Sequence, residues 1–336
     1  MYYLTYLSKC RRGLNIDTEK EIQYNKNRYV TKAFESSMDY AGKMSHIGMP
    51  WYYGHTVRMP EISYMQFEIP KKSGGVRIIH APNEELKALQ KNLMKQFEEC
   101  KILPHNAVHS FLPYRNCKTA LQVHQKNHSR WFLKLDIQDY FTSITYDNMK
   151  KALIRIVNLG DNQDSWLPYC FYQGVLPQGA PTSPVLSNLY LLEFDYRLTE
   201  KLKELDKNFV YTRYADDILI SNRNTFRFVD VVNVVKELLA EYSCTIKDRK
   251  TRYGSFNGSN WNLGIMYNNQ FNLTVGYKAK HLIKNRVHNL FNKTWSEEAY
   301  TKELYHLRGL LAWYVYIEPD YFKPLMTKWH EAGYEI

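Results

Sequence analysis

The chain has 336 residues, 44% of them hydrophobic, which is enough for one large unit or two to three lobes with a buried core. A formal charge of +11 and a pI near 9.2 favour an acidic partner, most commonly nucleic acid. The five cysteines lack paired spacing, which argues against a zinc knuckle or a disulfide framework. No apolar run is long enough for a signal peptide or a membrane span. We therefore expect reduced thiols, a cytoplasmic location and no membrane partner.

The first 82 residues predict helices followed by a hairpin. Residues 1–50 have the pattern of helices with polar loops. From Tyr64 to Pro82, two alternating strands flank a Lys-Lys-Ser-Gly-Gly turn, which is typical of a β-hairpin. A helix is predicted from about Asn83 to Cys100. Its apolar face would contain Leu86, Leu89, Leu93 and Phe97.

A basic segment follows this helix. From Lys101 to Arg130 there is no acidic residue, and basic residues are interleaved with histidines and aromatic residues. This composition suits a surface that follows a nucleic-acid backbone, although a solvated basic loop would have the same composition. From this segment we expect Arg115, Lys118 and His124 to bind nucleic acid.

The remaining pattern alternates short strands with helices. The segment WFLKLDIQDYF begins as a strand that ends in Asp136, and helical material follows near residues 148–157. A Gly/Pro loop from Leu176 then leads into one long helix. A strand–turn–strand surrounds Asp216, followed by an amphipathic helix, a short strand pair and helices from Lys278 onward. An antiparallel sheet of short strands among helices predicts an α+β fold, not a doubly wound one.

Two adjacent aspartates, Asp216 and Asp217, interrupt the apolar strand pattern of YTRYADDILI. Buried carboxylates are costly unless positive charge compensates them. Together with Asp136 from a distant strand, they suit two Mg²⁺ ions, which would stabilise the attacking and leaving oxygens of a phosphoryl transfer. Alternatively, the pair forms an ordinary hairpin turn, where Asp is common.

Three segments resemble the palm motifs of reverse transcriptases, in particular of the bacterial retron and group II intron branches. They are LKLDIQDYF, LPQGAPTSPVLSNL and YADD, and IPKKSGGVRIIHAPNEELKALQ is similar to the fingers segment of the same enzymes. The resemblance implies a right-hand polymerase with fingers, palm and a helical thumb. The implied divisions are an N-terminal helical extension (1–63), fingers (64–130), a palm with interleaved fingers elements (131–276) and the thumb (277–336).

The resemblance also implies roles for individual residues. Asp136 and Asp216 would bind both Mg²⁺ ions, for which Mn²⁺ could substitute, with Asp217 close by. Lys250 would protonate the leaving pyrophosphate, unless it is a surface lysine. Residues implied to bind the dNTP are Lys71, Lys72, Arg77, Asp139, Phe141, Gln178 and Gly179. Residues implied to hold the primer end are Asn262, Leu263 and Gly264. Thumb residues expected on a nucleic-acid-binding helix face, which could instead be merely solvated, are Lys278, Lys280, Lys284 and Arg286.

Phe141 lies five residues after Asp136, where reverse transcriptases place an aromatic ring that collides with a ribose 2′-OH. The resemblance therefore implies a preference for dNTPs, whereas simple core packing is the alternative reading of this ring.

Two signatures of the retron branch are altered. Where retron enzymes carry Asn-Ala-x-x-His, the stretch from Ala120 to His124 keeps only the histidine, and Asn262-Leu263-Gly264 replaces Val-Thr-Gly. We expect a standalone reverse transcriptase of anti-phage defence, copying a dedicated non-coding RNA into DNA with an accessory defence protein or a second copy of the chain as candidate partners. The alternatives are a true retron enzyme that makes msDNA, an RNA-templated RNA polymerase, and an inactive nucleic-acid-binding scaffold.

Overall fold

The computed structural model describes residues 60–71, 74–99, 104–157, 163–257, 260–261 and 264–335. The predicted helices of residues 1–50 lie outside these ranges, as do Lys72, Asn262 and Leu263. Within the described ranges, no helix combines the length and apolar character needed to cross a membrane.

The first described elements form the predicted hairpin. Strand β1 (Tyr64–Pro70) pairs antiparallel with β2 (Val76–Pro82). The turn between them contains Gly74 and Gly75 at φ values of 87° and 77°, a conformation that glycine adopts without strain. Helix α1 (Glu84–Glu99) follows the hairpin. Its buried face consists of the predicted residues Leu86, Leu89, Leu93 and Phe97.

A four-stranded antiparallel sheet carries the middle of the chain. Its strands are β3 (Trp131–Asp136), β4 (Val210–Tyr214), β5 (Asp217–Asn222) and β6 (Arg252–Ser255), in the order β4-β5-β3-β6. Side chains of a strand alternate between the two faces of a sheet. One face packs into the larger hydrophobic core through Leu133, Leu135, Ile218 and Ile220.

Helix α2 (Cys117–Lys126) places Cys117 and Leu121 in the hydrophobic cluster on the opposite face of the sheet. The elements that pack into the larger core on this face are α3 (Tyr140–Ser143), α4 (Tyr146–Val157), α5 (Gln163–Trp166), a 3₁₀ turn at Leu167–Cys170, α6 (Ser183–Tyr190), α7 (Leu192–Leu205) and α8 (Phe228–Ala240).

The single long helix predicted after the Gly/Pro loop is instead two helices, α6 and α7. Leu191 separates them with φ −96° and ψ 13°. The four consecutive residues 189–192 are all buried. The break lies inside the fold, within a continuous run of buried residues from 186 to 196.

The C-terminal part forms a second hydrophobic cluster. It contains the strand pair β7 (Met266–Tyr267) and β8 (Leu273–Thr274), followed by the helices α9 (Gly276–Asn292), α10 (Glu297–Ile317) and α11 (Pro319–Glu331). Phe132 and Leu219, from the second face of the central sheet, belong to this cluster. The C-terminal helices are therefore anchored on the sheet face opposite the larger core.

A fully buried ion pair joins the sheet to its covering helices. The Arg213 guanidinium of β4 donates from Nε and Nη2 to the two carboxylate oxygens of Asp195 in α7, at 2.8 and 2.6 Å. The Tyr211 hydroxyl donates to the same carboxylate at 2.6 Å. Arg213 Nη1 also donates to the Tyr140 hydroxyl at 2.9 Å and to the Ala215 carbonyl at 3.3 Å. This network fixes β4, α7 and the start of α3 relative to one another.

Asp195→Asn should destabilise the fold strongly, because it leaves the Arg213 charge buried without its counter-charge. We expect the free energy of unfolding, measured by urea denaturation, to fall by about 3–5 kcal/mol. The matched control is Lys236→Gln, which breaks an exposed ion pair with Asp248 and should cost less than about 1 kcal/mol. Equal losses in the two variants would contradict a special role for the buried pair.

Candidate active site

The three predicted catalytic carboxylates lie together at one end of the central sheet. Asp136, the last residue of β3, is paired in register with Asp217, the first residue of β5. The Ile137 N–H donates to the Asp216 carbonyl at 2.9 Å, which holds the turn against the end of β3. Ala215, at φ 55°, provides the left-handed step between β4 and β5. Two segments far apart in sequence thus deliver acidic side chains to one place, as predicted.

These carboxylates project from the sheet face that also carries the C-terminal cluster. Lys134, Asp136 and Asp217 share one face, because side chains two residues apart on a strand point to the same side and cross-strand partners match. Farther along this face, Phe132 and Leu219 pack into the C-terminal cluster. The acidic group therefore stands beside the region that the C-terminal helices cover.

Two lysines compensate two of the three carboxylates. Lys250 follows Asp248 in a short 3₁₀ turn, and its Nζ lies 2.5 Å from Asp136 Oδ2. Lys134 Nζ lies 2.9 Å from Asp217 Oδ2. Lys250 is half-exposed at 51%, whereas the Asp136 side chain is buried at 8%. The predicted proximity of Lys250 to the acidic site is thus present, but sequence reasoning missed Lys134. Its spacing of two residues from Asp136 could have identified it, since it places both on one strand face.

Among the described residues, no lysine forms an ion pair with Asp216, whereas Lys250 pairs with Asp136 and Lys134 with Asp217. Burial, followed by the charges of Asp217 and Asp136, raises the pKa of Asp216 from 3.8 to about 6. Lys250 opposes this shift only weakly. The site therefore carries an excess of negative charge centred on Asp216.

The chemistry of the three carboxylates fits divalent cations. Their oxygens are the ligands that hard cations prefer, and bound positive charge would relieve the repulsion at Asp216. Within the described ranges, no group of three or more His, Cys, Asp or Glu side chains is already arranged around one point to hold a metal. Lysines hold Asp136 and Asp217 instead. Each lysine contacts a single carboxylate oxygen, Oδ2 of Asp217 or Oδ2 of Asp136.

The predicted Gln178-Gly179 loop contacts the hairpin. The His80 N–H of β2 donates to the Gln178 carbonyl at 2.7 Å. Gly179 has φ 126°, and a Cβ at this position would lie 2.6 Å from the His80 carbonyl oxygen and 2.9 Å from Cγ2 of Ile79. The close approach that requires glycine is therefore to the backbone of β2. Arg77 and Lys71 lie exposed on that hairpin.

Phe141 lies on the short helix α3, directly after the turn that ends β3. Asp139 makes this turn at φ 45°. Tyr140 is fixed beneath it, because its hydroxyl donates to the Ser187 carbonyl at 2.9 Å and accepts from Arg213. The Phe141 ring is half-buried and lies 6.3 Å from the ring of Phe111. A rigid support thus holds Phe141 a few residues from Asp136, which is compatible with a role in sugar selection.

The prediction that His124 binds nucleic acid is wrong. Its side chain is fully buried, with Nδ1 2.5 Å from Ser221 Oγ and Nε2 2.8 Å from Thr212 Oγ1. Burial, reinforced by His109, lowers the pKa of His124 to about 3. It is a neutral structural residue that joins α2 to two strands of the sheet.

Arg115 and Lys118 are also engaged within the protein. The Arg115 guanidinium donates to the carbonyl oxygens of Val108 and His105, at 2.7 and 3.2 Å. Lys118 Nζ donates to the Tyr316 carbonyl at 2.5 Å and lies over the Tyr316 ring. These contacts fasten a loop and the C-terminal helix α10, so the basic segment is more structural than its composition suggested.

The predicted helix face on α9 is divided in the same way. Lys278 and Lys284 are exposed. Lys280 instead pairs with Glu318 at 2.5 Å, and Arg286 makes a two-pronged pair with Glu303 at 2.7 and 2.8 Å. Lys284 Nζ also lies over the Tyr321 ring, 5.4 Å from its centroid, and Lys280 and Arg286 hold α9 against neighbouring helices.

Of the predicted primer-holding residues, only Gly264 is described. It has φ 91°, and its N–H donates a hydrogen bond to Asn260 Oδ1 at 2.9 Å. Gly264 thus lies in a tight turn between β6 and β7, whereas Asn262 and Leu263 are outside the described residues.

Comparisons with known proteins agree with the geometry. A family model described as "Reverse transcriptase (RNA-dependent DNA polymerase)" matches residues 69–290. The retron Ec73 reverse transcriptase of Escherichia coli is 29% identical over 83% of this chain and 91% of its own length. The retron Mx65 reverse transcriptase of Myxococcus xanthus is 29% identical over 91% of this chain and 74% of its own length.

Among solved structures, the chain is similar to telomerase from Candida albicans in complex with a TWJ fragment of telomeric RNA. The TM-score is 0.46 at 13% identity, and the match covers 79% of this chain. The chain spans 56% of that telomerase.

Asp216→Asn should stabilise the protein at neutral pH in a buffer that contains a chelator. Because the folded-state pKa of about 6 exceeds the ordinary 3.8, ionised Asp216 costs stability above pH 6, and this cost disappears below about pH 4. We expect a higher melting temperature for Asp216→Asn than for the wild type at neutral pH, with no difference near pH 4.

Asp206→Asn provides a control of opposite sign, because the Asn208 N–H and then the Asn222 amide lower the pKa of Asp206. This variant should be less stable than the wild type at neutral pH and equal to it at low pH. The same pH trend in both variants would contradict the charge excess assigned to Asp216.

Proposed function

Because the chain belongs to the reverse transcriptase family, it is an RNA-directed DNA polymerase, and we propose that Asp136, Asp216 and Asp217 form its catalytic centre. The observation that carries this proposal is the register that places Asp136 opposite Asp217, at the end of the sheet and beside the Asp216 turn. An α+β sheet with its acidic end facing a helical C-terminal part is the palm and thumb of a right-hand polymerase.

We further propose that residues 64–130 act as fingers, 131–276 as palm and 277–336 as thumb, after an extension of residues 1–63. The second hydrophobic cluster joins the C-terminal helices to residues of the proposed palm, as expected for a thumb that packs on the palm. The backbone contact between Gly179 and β2 would be the place where the fingers hairpin meets the palm.

Reverse transcriptases use divalent metal ions, and we propose two Mg²⁺ ions here, with Mn²⁺ as a substitute. Asp136 and Asp216 would hold them, with Asp217 close by. When bound, such ions stabilise negative charge on the attacking and leaving oxygens of a phosphoryl transfer. The protein contributes the position of the carboxylates, fixed by the pairing of β3 with β5.

Other residues would bind and orient the dNTP. The exposed Arg77 would hold the triphosphate through its guanidinium fork, assisted by Lys71 or Lys72. The Asp139 turn would present backbone groups to the same phosphates, and Gln178 with Gly179 would line the pocket. Lys250, half-exposed next to Asp136, would hold the proton that the leaving pyrophosphate receives.

We propose that the template is a dedicated non-coding RNA and that the enzyme acts in the cytoplasm in anti-phage defence. The similarity to retron reverse transcriptases over most of the chain supports an enzyme of this branch. It also favours the second candidate, a retron enzyme that makes RNA-linked msDNA. An accessory defence protein or a second copy of the chain remains a candidate partner in both cases.

Purified protein with Mg²⁺ and a primed RNA template should incorporate dNTPs and reject NTPs. Phe141→Ala should raise incorporation of NTPs relative to dNTPs by about tenfold or more, because the ring that would exclude the 2′-OH is gone. Asp136→Asn should reduce all incorporation by roughly a thousandfold while retaining the wild-type melting curve.

Primer-extension gels with each nucleotide set measure these ratios. Wild-type use of NTPs would favour the RNA polymerase alternative, and incorporation of neither nucleotide would favour the scaffold. An unchanged ratio in Phe141→Ala would leave that ring as core packing only.

Sequencing of nucleic acids that copurify from cells should identify the template and the product together. With the wild type, we expect one abundant structured RNA and a DNA complementary to part of it. With Asp136→Asn, we expect the same RNA without the DNA. DNA covalently branched from the RNA would identify the retron alternative. A random sample of cellular RNA without matching DNA would contradict a dedicated template.

A further inference from the structure

A loop of residues 110–116 begins directly beneath the catalytic turn. The segment before it extends the sheet at the β4 edge, where Val108 forms a parallel bridge with Arg213. The His109 N–H donates to the Arg213 carbonyl at 2.9 Å. Ser110 is fully buried, and its Oγ accepts a hydrogen bond from the Ala215 N–H at 2.8 Å. The loop is thus attached to the same turn that carries Asp216 and Asp217.

The other end of the loop is fixed as well. Arg115 binds back to carbonyl oxygens of the preceding segment, with its shortest bond to Val108. Asn116 caps helix α2 by accepting from the N–H groups of Lys118 and Thr119. The Asn116 Nδ2 also donates to the Tyr316 hydroxyl of the C-terminal helix α10 at 2.9 Å. The loop therefore spans from the catalytic turn to the thumb.

Within this held loop, two aromatic residues adopt the left-handed conformation. Phe111 has φ 58° and Tyr114 has φ 61°. This conformation costs a residue other than glycine roughly 1 kcal/mol or more. Such strain persists where surrounding structure imposes it, and it often marks a functional site.

Contacts within the protein account for Phe111 but not for Tyr114. The Phe111 ring lies 6.3 Å from the ring of Phe141, the residue proposed to select the sugar, and can support it. The Tyr114 side chain is 98% exposed. It gains no packing that would offset its strained backbone. Tyr114 thus presents an exposed aromatic ring on a loop that Ser110 attaches to the turn of Asp216.

The partner that fits this ring is an unpaired nucleic-acid base. Base–aromatic stacking contributes about 1–3 kcal/mol per base and tolerates any sequence. The loop leaves the sheet at the β4 edge, whereas the turn of Gly264, proposed to hold the primer, follows β6 at the opposite edge. If the primer end lies at the β6 edge, the β4 edge, where the loop of Tyr114 begins, is left for the template strand.

We infer that Tyr114 stacks on an unpaired base of the template strand, next to the base that is being copied. The inference rests on the proposed polymerase function. It adds a contact that holds the single-stranded template by its bases, from a loop that also supports Phe141 and the catalytic turn.

Affinity measurements can isolate this contact. Fluorescence anisotropy would compare a primed RNA template that has a short unpaired overhang with a blunt duplex of the same length. We expect the overhang to increase the affinity of the wild type and of Tyr114→Phe. In Tyr114→Leu and Tyr114→Gly this gain should shrink about fivefold or more. Glycine relieves the strain at φ 61°, so loss of folding is not expected in Tyr114→Gly.

Photocrosslinking gives an independent readout of position. With 5-iodouridine at the first unpaired template position and no dNTP present, the crosslinked peptide should contain Tyr114. The same label at the primer end should not crosslink to this peptide. A template crosslink at another residue, a primer crosslink at Tyr114, or an undiminished overhang gain in Tyr114→Leu would overturn the inference.

These results also separate the inference from the proposed function. A wild-type protein that binds and extends the primed template without the expected crosslink overturns the stacking role alone. A wild-type protein that neither binds nor extends the primed template overturns both.

Discussion

The arrangement of the active site depends on the buried ion pair between Arg213 and Asp195. A charge pair with no solvent exposure is tolerated because all three guanidinium nitrogens donate hydrogen bonds, two of them to the Asp195 carboxylate. Through Tyr140 the pair positions the base of Phe141, and through the Ala215 carbonyl it contacts the turn that carries Asp216 and Asp217. The Arg213 carbonyl also accepts a hydrogen bond from the His109 N–H, in the segment that leads into the loop of residues 110–116. Three parts of the site thus share one rigid support.

The acidic end of the sheet illustrates how a protein can keep uncompensated charge at a functional position. Lys134 and Lys250 balance two carboxylates, while Asp216 retains a raised pKa because burial and like charges disfavour its ionisation. Bound cations would neutralise this excess negative charge, which otherwise disfavours the approach of a nucleic-acid phosphate.

Sequence patterns predicted the features that have local causes. The Gly-Gly turn, the amphipathic helix Glu84–Glu99 and the acidic turn each depend on a few neighbouring residues and are present, whereas the long helix predicted after the Gly/Pro loop is broken at Leu191. Several features that depend on tertiary partners were mispredicted. The basic context of His124 suggested a surface, but hydroxyls from two strands hold it in the core. Lys280 and Arg286 have the spacing of an exposed helix face, yet glutamates from α10 and its C-terminal end bind them. Spacing along one helix cannot reveal partners that another helix supplies.

The contact between Gly179 and β2 fixes the position of the hairpin relative to the central sheet. It joins main chain to main chain, through the Gln178 carbonyl and the His80 amide, and leaves no room for a side chain. The distance between the hairpin and the loop beneath it is therefore set by main-chain atoms and does not depend on the side chains of β1 and β2. The hairpin surface can be redesigned for other templates or nucleotides while its seat on the palm is preserved, provided that the single glycine beneath it is kept.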